Sequence, residues 1–128
     1  MTHYIDGFVL PVPRRHLSDY RQLVESIAAI WKEHGALEYR EYIGEDLPSN
    51  DTRTFAELSG AADDEVVIFG WVVFESREAR DRANASVAND HRMTGLIDSF
   101  GAGFDATRMA YGGFEEFVLS QNTQHTRD

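Results

Sequence analysis

The run Val66-Val67-Ile68-Phe69-Gly70-Trp71-Val72-Val73-Phe74 holds nine positions without a charge. Both alternating sets are apolar, with Val66, Ile68, Val72 and Phe74 in one and Val67, Phe69, Trp71 and Val73 in the other. A β-strand turns successive side chains to opposite faces, so a strand of this kind needs cover on both. Nine residues are too few to span a bilayer.

Working outward, a polar helix is expected from about Ser76 to Asn89, with Ser76 as its N-cap and Ala79, Ala83 and Val87 as a narrow inward stripe. A short helix around Arg92 to Ser99 presents Met93, Leu96 and Ile97, and Gly101 and Gly103 loosen the chain before a last strand from Arg108 to Leu119. Upstream, Asp46 to Asp64 carries loop chemistry, within which Thr52 to Leu58 reads as a short extended piece or a turn of helix. Ala36 to Glu45 reads as a strand. Before it, Leu17, Tyr20, Leu23, Val24, Ile27, Ile30 and Trp31 recur at helical spacing between His16 and His34, and Gly35 stops that helix. The first strand is His3 to Pro13, where Pro11 and Pro13 forbid a helix.

The order strand, helix, strand, strand, helix, strand, joined by right-handed crossovers, predicts an α+β, ferredoxin-like βαββαβ domain. Its two helices cover one face of a four-stranded antiparallel sheet. The other face, about 500–600 Å² from strand length and spacing, lies at the upper limit of what a monomer leaves bare. Two such faces together would bury roughly 1,000–1,200 Å², enough for a specific two-fold interface. The expectation is a homodimer built sheet on sheet, in which residues 1–119 form one dimeric α/β-barrel domain and 120–128 a frayed tail.

The chain has 128 residues, 42% hydrophobic and 27% charged, as in ordinary globular proteins. Its net charge of −10 is spread as −6 over residues 1–64 and −4 over 65–128, so neither half offers the basic face that nucleic acid requires. Without cysteine there is no disulfide framework, thiolate metal site or thiol nucleophile. His3, His16, His34 and His91 lack i, i+4 partners, His125 falls in the tail, and no metal site is expected. No glycine-rich phosphate loop or nucleophile elbow is present, and no cofactor is expected. No signal-peptide layout or membrane span is visible, which places the protein in the cytoplasm.

Five residues stand out as pocket candidates: Asp6, Trp71, Asn84, Arg108 and Tyr111. Asp6 is a carboxylate in an otherwise buried strand and must find donors or turn neutral. It reads either as a base or ligand anchor on a pocket floor, or as a structural acceptor. Arg108, Tyr111, Gly112 and Gly113 open the last strand beside the first, where glycines opposite Gly7 permit close approach or a bulge. Asn84, if turned inward beside Trp71 and Tyr111, makes a polar point in an aromatic pocket. Arg80 with Asp81 reads as a solvated surface pair.

Further signals are Tyr4, Asp6, Gly7, Phe8, Val9, Pro11, Val12 and Pro13; then Trp31, Glu33, His34, Gly35, Ala36, Leu37 and Glu38; then Trp71, Arg80, Asp81 and Asn84; and finally Phe104, Asp105, Arg108, Met109, Tyr111, Gly112, Gly113 and Phe114. On these residues the chain resembles the YbaA-like bacterial proteins over about residues 4–118. Ser86 and His91 depart from that pattern, which usually carries a lysine and a proline there. The resemblance implies a dimeric α/β barrel and no established activity. Three classes stay open: a binder of a small apolar or aromatic molecule between helices and sheet; a cofactor-independent monooxygenase- or isomerase-like enzyme, by analogy with related barrels; and a purely structural or regulatory dimer.

Overall fold

The computed structural model describes residues 2–100 and 105–121, and the side chains at 97–100, Ile97 among them, lie outside the described set. β1 (Tyr4–Pro13) leads through one 3₁₀ turn (Arg14–His16) into α1 (Leu17–Glu33). β2 (Glu38–Ile43), α2 (Phe55–Ser59) and β3 (Glu65–Phe74) follow, then α3 (Arg77–Ala88) and α4 (His91–Phe100). A 3₁₀ turn (Ala106–Arg108) enters β4 (Ala110–Glu115). All three pairings of the sheet, ordered β2-β3-β1-β4, are antiparallel. This is the ferredoxin-like arrangement expected from the element order. Among the described residues no helix is long and apolar enough to cross a membrane.

Alternation along the two central strands decides the layers. Phe8, Leu10 and Val12 of β1 and Val66, Ile68, Val72 and Phe74 of β3 turn to the helices and form the core with Tyr20, Ala36 and Ala83. Leu10, Val12, Leu23 and Phe74 have no exposed surface, so truncating one of the larger of them costs about 2–5 kcal/mol. Ser76 caps α3 by accepting from the Ala79 N–H at 3.1 Å, as its sequence position predicts. Gly35, at φ 115°, ends α1.

Two strands differ from expectation in their bounds, and a third segment takes one of its two expected forms. β2 starts at Glu38 and not at Ala36, whose N–H returns to the Trp31 carbonyl at 3.0 Å. The last strand was expected from Arg108 to Leu119 and runs only from Ala110 to Glu115. Asp105 draws Thr107 and Arg108 into the 3₁₀ turn, and Glu115 already faces Tyr4, the first residue of β1, beyond which the strand offers no further partner. Thr52 to Leu58 resolves into a capped helix: Thr54 accepts from the Glu57 N–H at 3.1 Å while Glu57 accepts from the Thr54 N–H. The expected loosening at Gly101 and Gly103 and the tail from 122 onward fall outside the described residues.

That short helix changes the open face of the sheet. α2 lies against β1 and β3, with Phe55 tilted on Phe69 at 5.7 Å, and Val9 and Val67 beneath are buried. Even beside Phe55, Phe69 stays 43% exposed, and at the opposite end Phe114 is 57% exposed. The bare face is therefore smaller than strand dimensions alone predict. Gly7 pairs with both Trp71 and Gly112, as expected for glycines facing each other across the ladder. A groove of about 500 Å³ runs over them toward Phe55 and Leu58.

Candidate functional site

Between the sheet and the helices lies a half-enclosed cavity of about 160 Å³. Its floor is Phe8 and Val72, its α1 wall is Tyr20, Leu23, Val24, Ile27 and Trp31, and Tyr39, Met93, Met109 and Tyr111 complete it. The wall follows from sequence spacing, since residues three and four apart share one face of a helix. The floor depends on Gly70, whose missing Cβ leaves room for the Phe8 ring: a Cβ there would stand 2.7 Å from Phe8 Cζ. Phe8 in turn carries Tyr111 stacked at 6.1 Å and Tyr39 tilted at 6.3 Å.

Among the described residues one carboxylate borders this cavity. Glu41 accepts from the Tyr20 hydroxyl at 2.5 Å through Oε1 and from the Tyr39 hydroxyl at 2.8 Å through Oε2. Burial pushes its pKa above the ordinary glutamate value, and the two hydroxyl bonds offset part of that rise. Burial and the adjacent carboxylate push both phenols far above their usual range, so they remain neutral donors.

A second carboxylate lies behind the cavity wall. Asp6 has no exposed surface, and the Tyr111 hydroxyl donates to its Oδ2 at 2.8 Å. Arg80 Nε stands 3.7 Å from Oδ1, close enough for charge attraction and too far for a hydrogen bond, and among the described residues neither atom has a hydrogen-bond partner. Desolvation raises the Asp6 pKa, while the Tyr111 bond and the Arg80 charge pull it part of the way back. Arg80 is not the solvated residue its neighbour Asp81 suggests. It is 17% exposed, lies over the Tyr4 ring at 4.9 Å and donates from Nη2 to the Tyr4 hydroxyl at 2.9 Å, while also keeping Asp81 at 3.3 Å.

Of the five residues singled out from sequence, the structure joins Asp6 to Tyr111, brings Trp71 and Tyr111 to the open groove over Gly7 and Gly112, and leaves Arg108 and Asn84 apart from them. Trp71 lies on the open face, because odd positions of β3 point away from the helices. Its ring stacks on Tyr42 at 5.3 Å, and its Nε1 donates to Glu38 at 3.3 Å. Arg108 is held at the far end of the sheet by Glu65, at 2.6 and 2.9 Å, and by the Gly60 carbonyl at 2.9 Å. Asn84 is half-buried on α3 and takes no part in the cavity lining, so it does not meet Trp71 and Tyr111 there. Sequence reading missed Glu41, Tyr20, Tyr39 and Arg80. The signal for the first three was present: Tyr39, Glu41 and Ile43 alternate in β2, and Tyr20 belongs to the inward stripe of α1.

Comparison with known proteins bears on the fold and the family. Over 115 residues the chain is 37% identical to the uncharacterized protein YbaA of Escherichia coli (strain K12), an overlap of 90% of this chain and 97% of that one. The Shigella flexneri protein of that name matches to the same extent. Among solved structures, a dimeric ferredoxin-like protein from an uncultured marine organism superposes with a TM-score of 0.53 at 8% identity, covering 95% of this chain and all of that one. The family model described as protein of unknown function DUF1428 matches residues 3–105. By this match and by its identity to YbaA, the chain belongs to the DUF1428 family.

Proposed function

We propose that the protein is a homodimer, joined through its open sheet faces, that takes a small apolar or aromatic molecule into the cavity between α1, α4 and the sheet. The observation that carries the binding role is the cavity itself. About 160 Å³ bounded by aromatic and aliphatic side chains is the scale at which an apolar cavity accepts one benzene-sized ring. A void of this kind supports binding over a purely structural interior. Asp6 is absent from the lining and is hydrogen-bonded to the lining residue Tyr111, which favours a binding role over a reaction that uses Asp6 as base.

The dimer is supported by what the open face leaves uncovered. Trp71, Phe69 and Phe114 surround the bare backbone of Gly7 and Gly112. Phe117, Val118 and Leu119, 96%, 75% and 64% exposed, leave the sheet just past Glu115 and add apolar area at that end. A self-complementary patch of this kind implies a two-fold axis. The marine ferredoxin-like protein of similar fold is itself dimeric. Native mass spectrometry of freshly purified protein tests both halves. The expected particle has twice the 14.5 kDa chain mass and releases a small organic molecule on activation. A 14.5 kDa species at micromolar concentration contradicts the dimer.

A further inference from the structure

Resting on the cavity reading above, we infer that the preferred occupant is a small organic ammonium ion, whose charge is met by Glu41 and whose body lies among the rings of Phe8, Trp31, Tyr39 and Tyr111. Among the described residues the lining has no cationic side chain. The Tyr20 and Tyr39 hydroxyl protons are committed to Glu41, and that of Tyr111 to Asp6. What Glu41 still offers an occupant is acceptor capacity, since each carboxylate oxygen carries a second lone pair. An anion would meet a repelling carboxylate and, among the described residues, no cationic side chain to offset it. A neutral hydroxyl would use the carboxylate only as an acceptor.

A cation gains twice, from the carboxylate and from the negative faces of the rings. The two carboxylates of the region differ in the relevant respect. Asp6 faces the guanidinium of Arg80, whereas among the described residues Glu41 has two phenols and no cation within ion-pair distance. Arg21, which borders the groove on the solvent side of Glu41, is turned to Glu25 at 3.8 Å. A half-buried carboxylate without a counter-ion, facing aromatic rings, is completed by an ammonium group. The chain's net charge of −10 raises the local concentration of such ions.

Isothermal titration with three probes of nearly equal size, benzylammonium, benzyl alcohol and benzoate, tests the inference at neutral pH on the full chain. Benzylammonium is expected to bind about tenfold more tightly than benzyl alcohol, and benzoate not measurably. In Glu41→Gln the ratio of the first two affinities is expected to fall to about one. Equal affinity of the cation and the alcohol in the wild-type protein, a preference for benzoate, or a cation preference that survives Glu41→Gln overturns the ammonium assignment and leaves the cavity reading standing. Binding of none of the three overturns both.

Discussion

Tyr111, on the edge strand β4, donates its hydroxyl proton to Asp6 of the neighbouring central strand at 2.8 Å, and Asp6 has no surface of its own. The bond joins residues 105 positions apart and fixes the ring that stands at the mouth of the cavity. Tyr111→Phe keeps the ring on Phe8 and removes the donor. The expected loss, from urea unfolding, is about 1–3 kcal/mol.

The same pair sets a pH dependence whose sign follows from the raised Asp6 pKa. The folded state binds this proton more tightly than the unfolded chain. Stability from this group is therefore fullest below the ordinary aspartate pKa and falls as pH rises through the raised folded value. In Tyr111→Phe the folded pKa climbs further, so the decline extends to higher pH than in the wild-type protein. Thermal melts from pH 4 to 8 read the difference, and superimposable profiles would refute it.

Glu65 behaves in the opposite sense. The Arg108 guanidinium and the Ala62 N–H hold its pKa down at about 2. Its contribution is complete above the ordinary glutamate value of 4.5 and is lost as pH falls toward 2. Arg108→Ala is expected to lower Tm near neutral pH and to flatten that acid limb. Probe binding in the cavity should change little, because the Arg108 guanidinium is turned to Glu65 and the Gly60 carbonyl and takes no part in the lining that its neighbour Met109 joins.

Gly70→Ala places a methyl group against the Arg40 carbonyl, which is fixed in the β2–β3 ladder, and against the Phe8 ring. Overpacking of this kind costs about 1–3 kcal/mol. Phe8 must tilt into the cavity to relieve it, so benzyl alcohol affinity should fall together with stability. Calorimetric titration beside urea melts reads both. A stable variant with undiminished affinity would show that Phe8 is not the floor that matters.

Trp71→Glu puts a charge in the middle of the open face, stacked where Tyr42 now lies. Each copy would bring that charge against its mate across the proposed two-fold axis. Sedimentation equilibrium is expected to show a folded monomer, and an unchanged dimer would move the interface elsewhere.

The fold was legible in the sequence because its decisive segments are strongly periodic. β3 carries two apolar faces, α1 repeats at three and four, and Pro11 and Pro13 exclude any helix in β1. The site was legible only in part. Asp6 and Tyr111 stand out one strand apart, and the register joins them. Trp71 was misplaced because an uncharged strand reads alike on both faces, and only the pairing with Gly7 shows which side it takes. Glu41 was hidden by its setting: Glu38-Tyr39-Arg40-Glu41-Tyr42 resembles a solvated edge strand. What removes Glu41 from that class is Tyr20, 21 positions earlier in α1, reaching it across the core. Arg80 was read from its neighbour Asp81, whereas its turn inward depends on Tyr4 and Asp6 at the opposite end of the chain.

The most direct test of the cavity uses the methionine methyl groups. Met93 and Met109 line it. In spectra of protein labelled with ¹³C at the methionine methyls, titration with benzyl alcohol is expected to shift the Met93 and Met109 resonances together, with one saturating dependence. Resonances of Met93 and Met109 that do not move, or that move without saturating, would contradict the account.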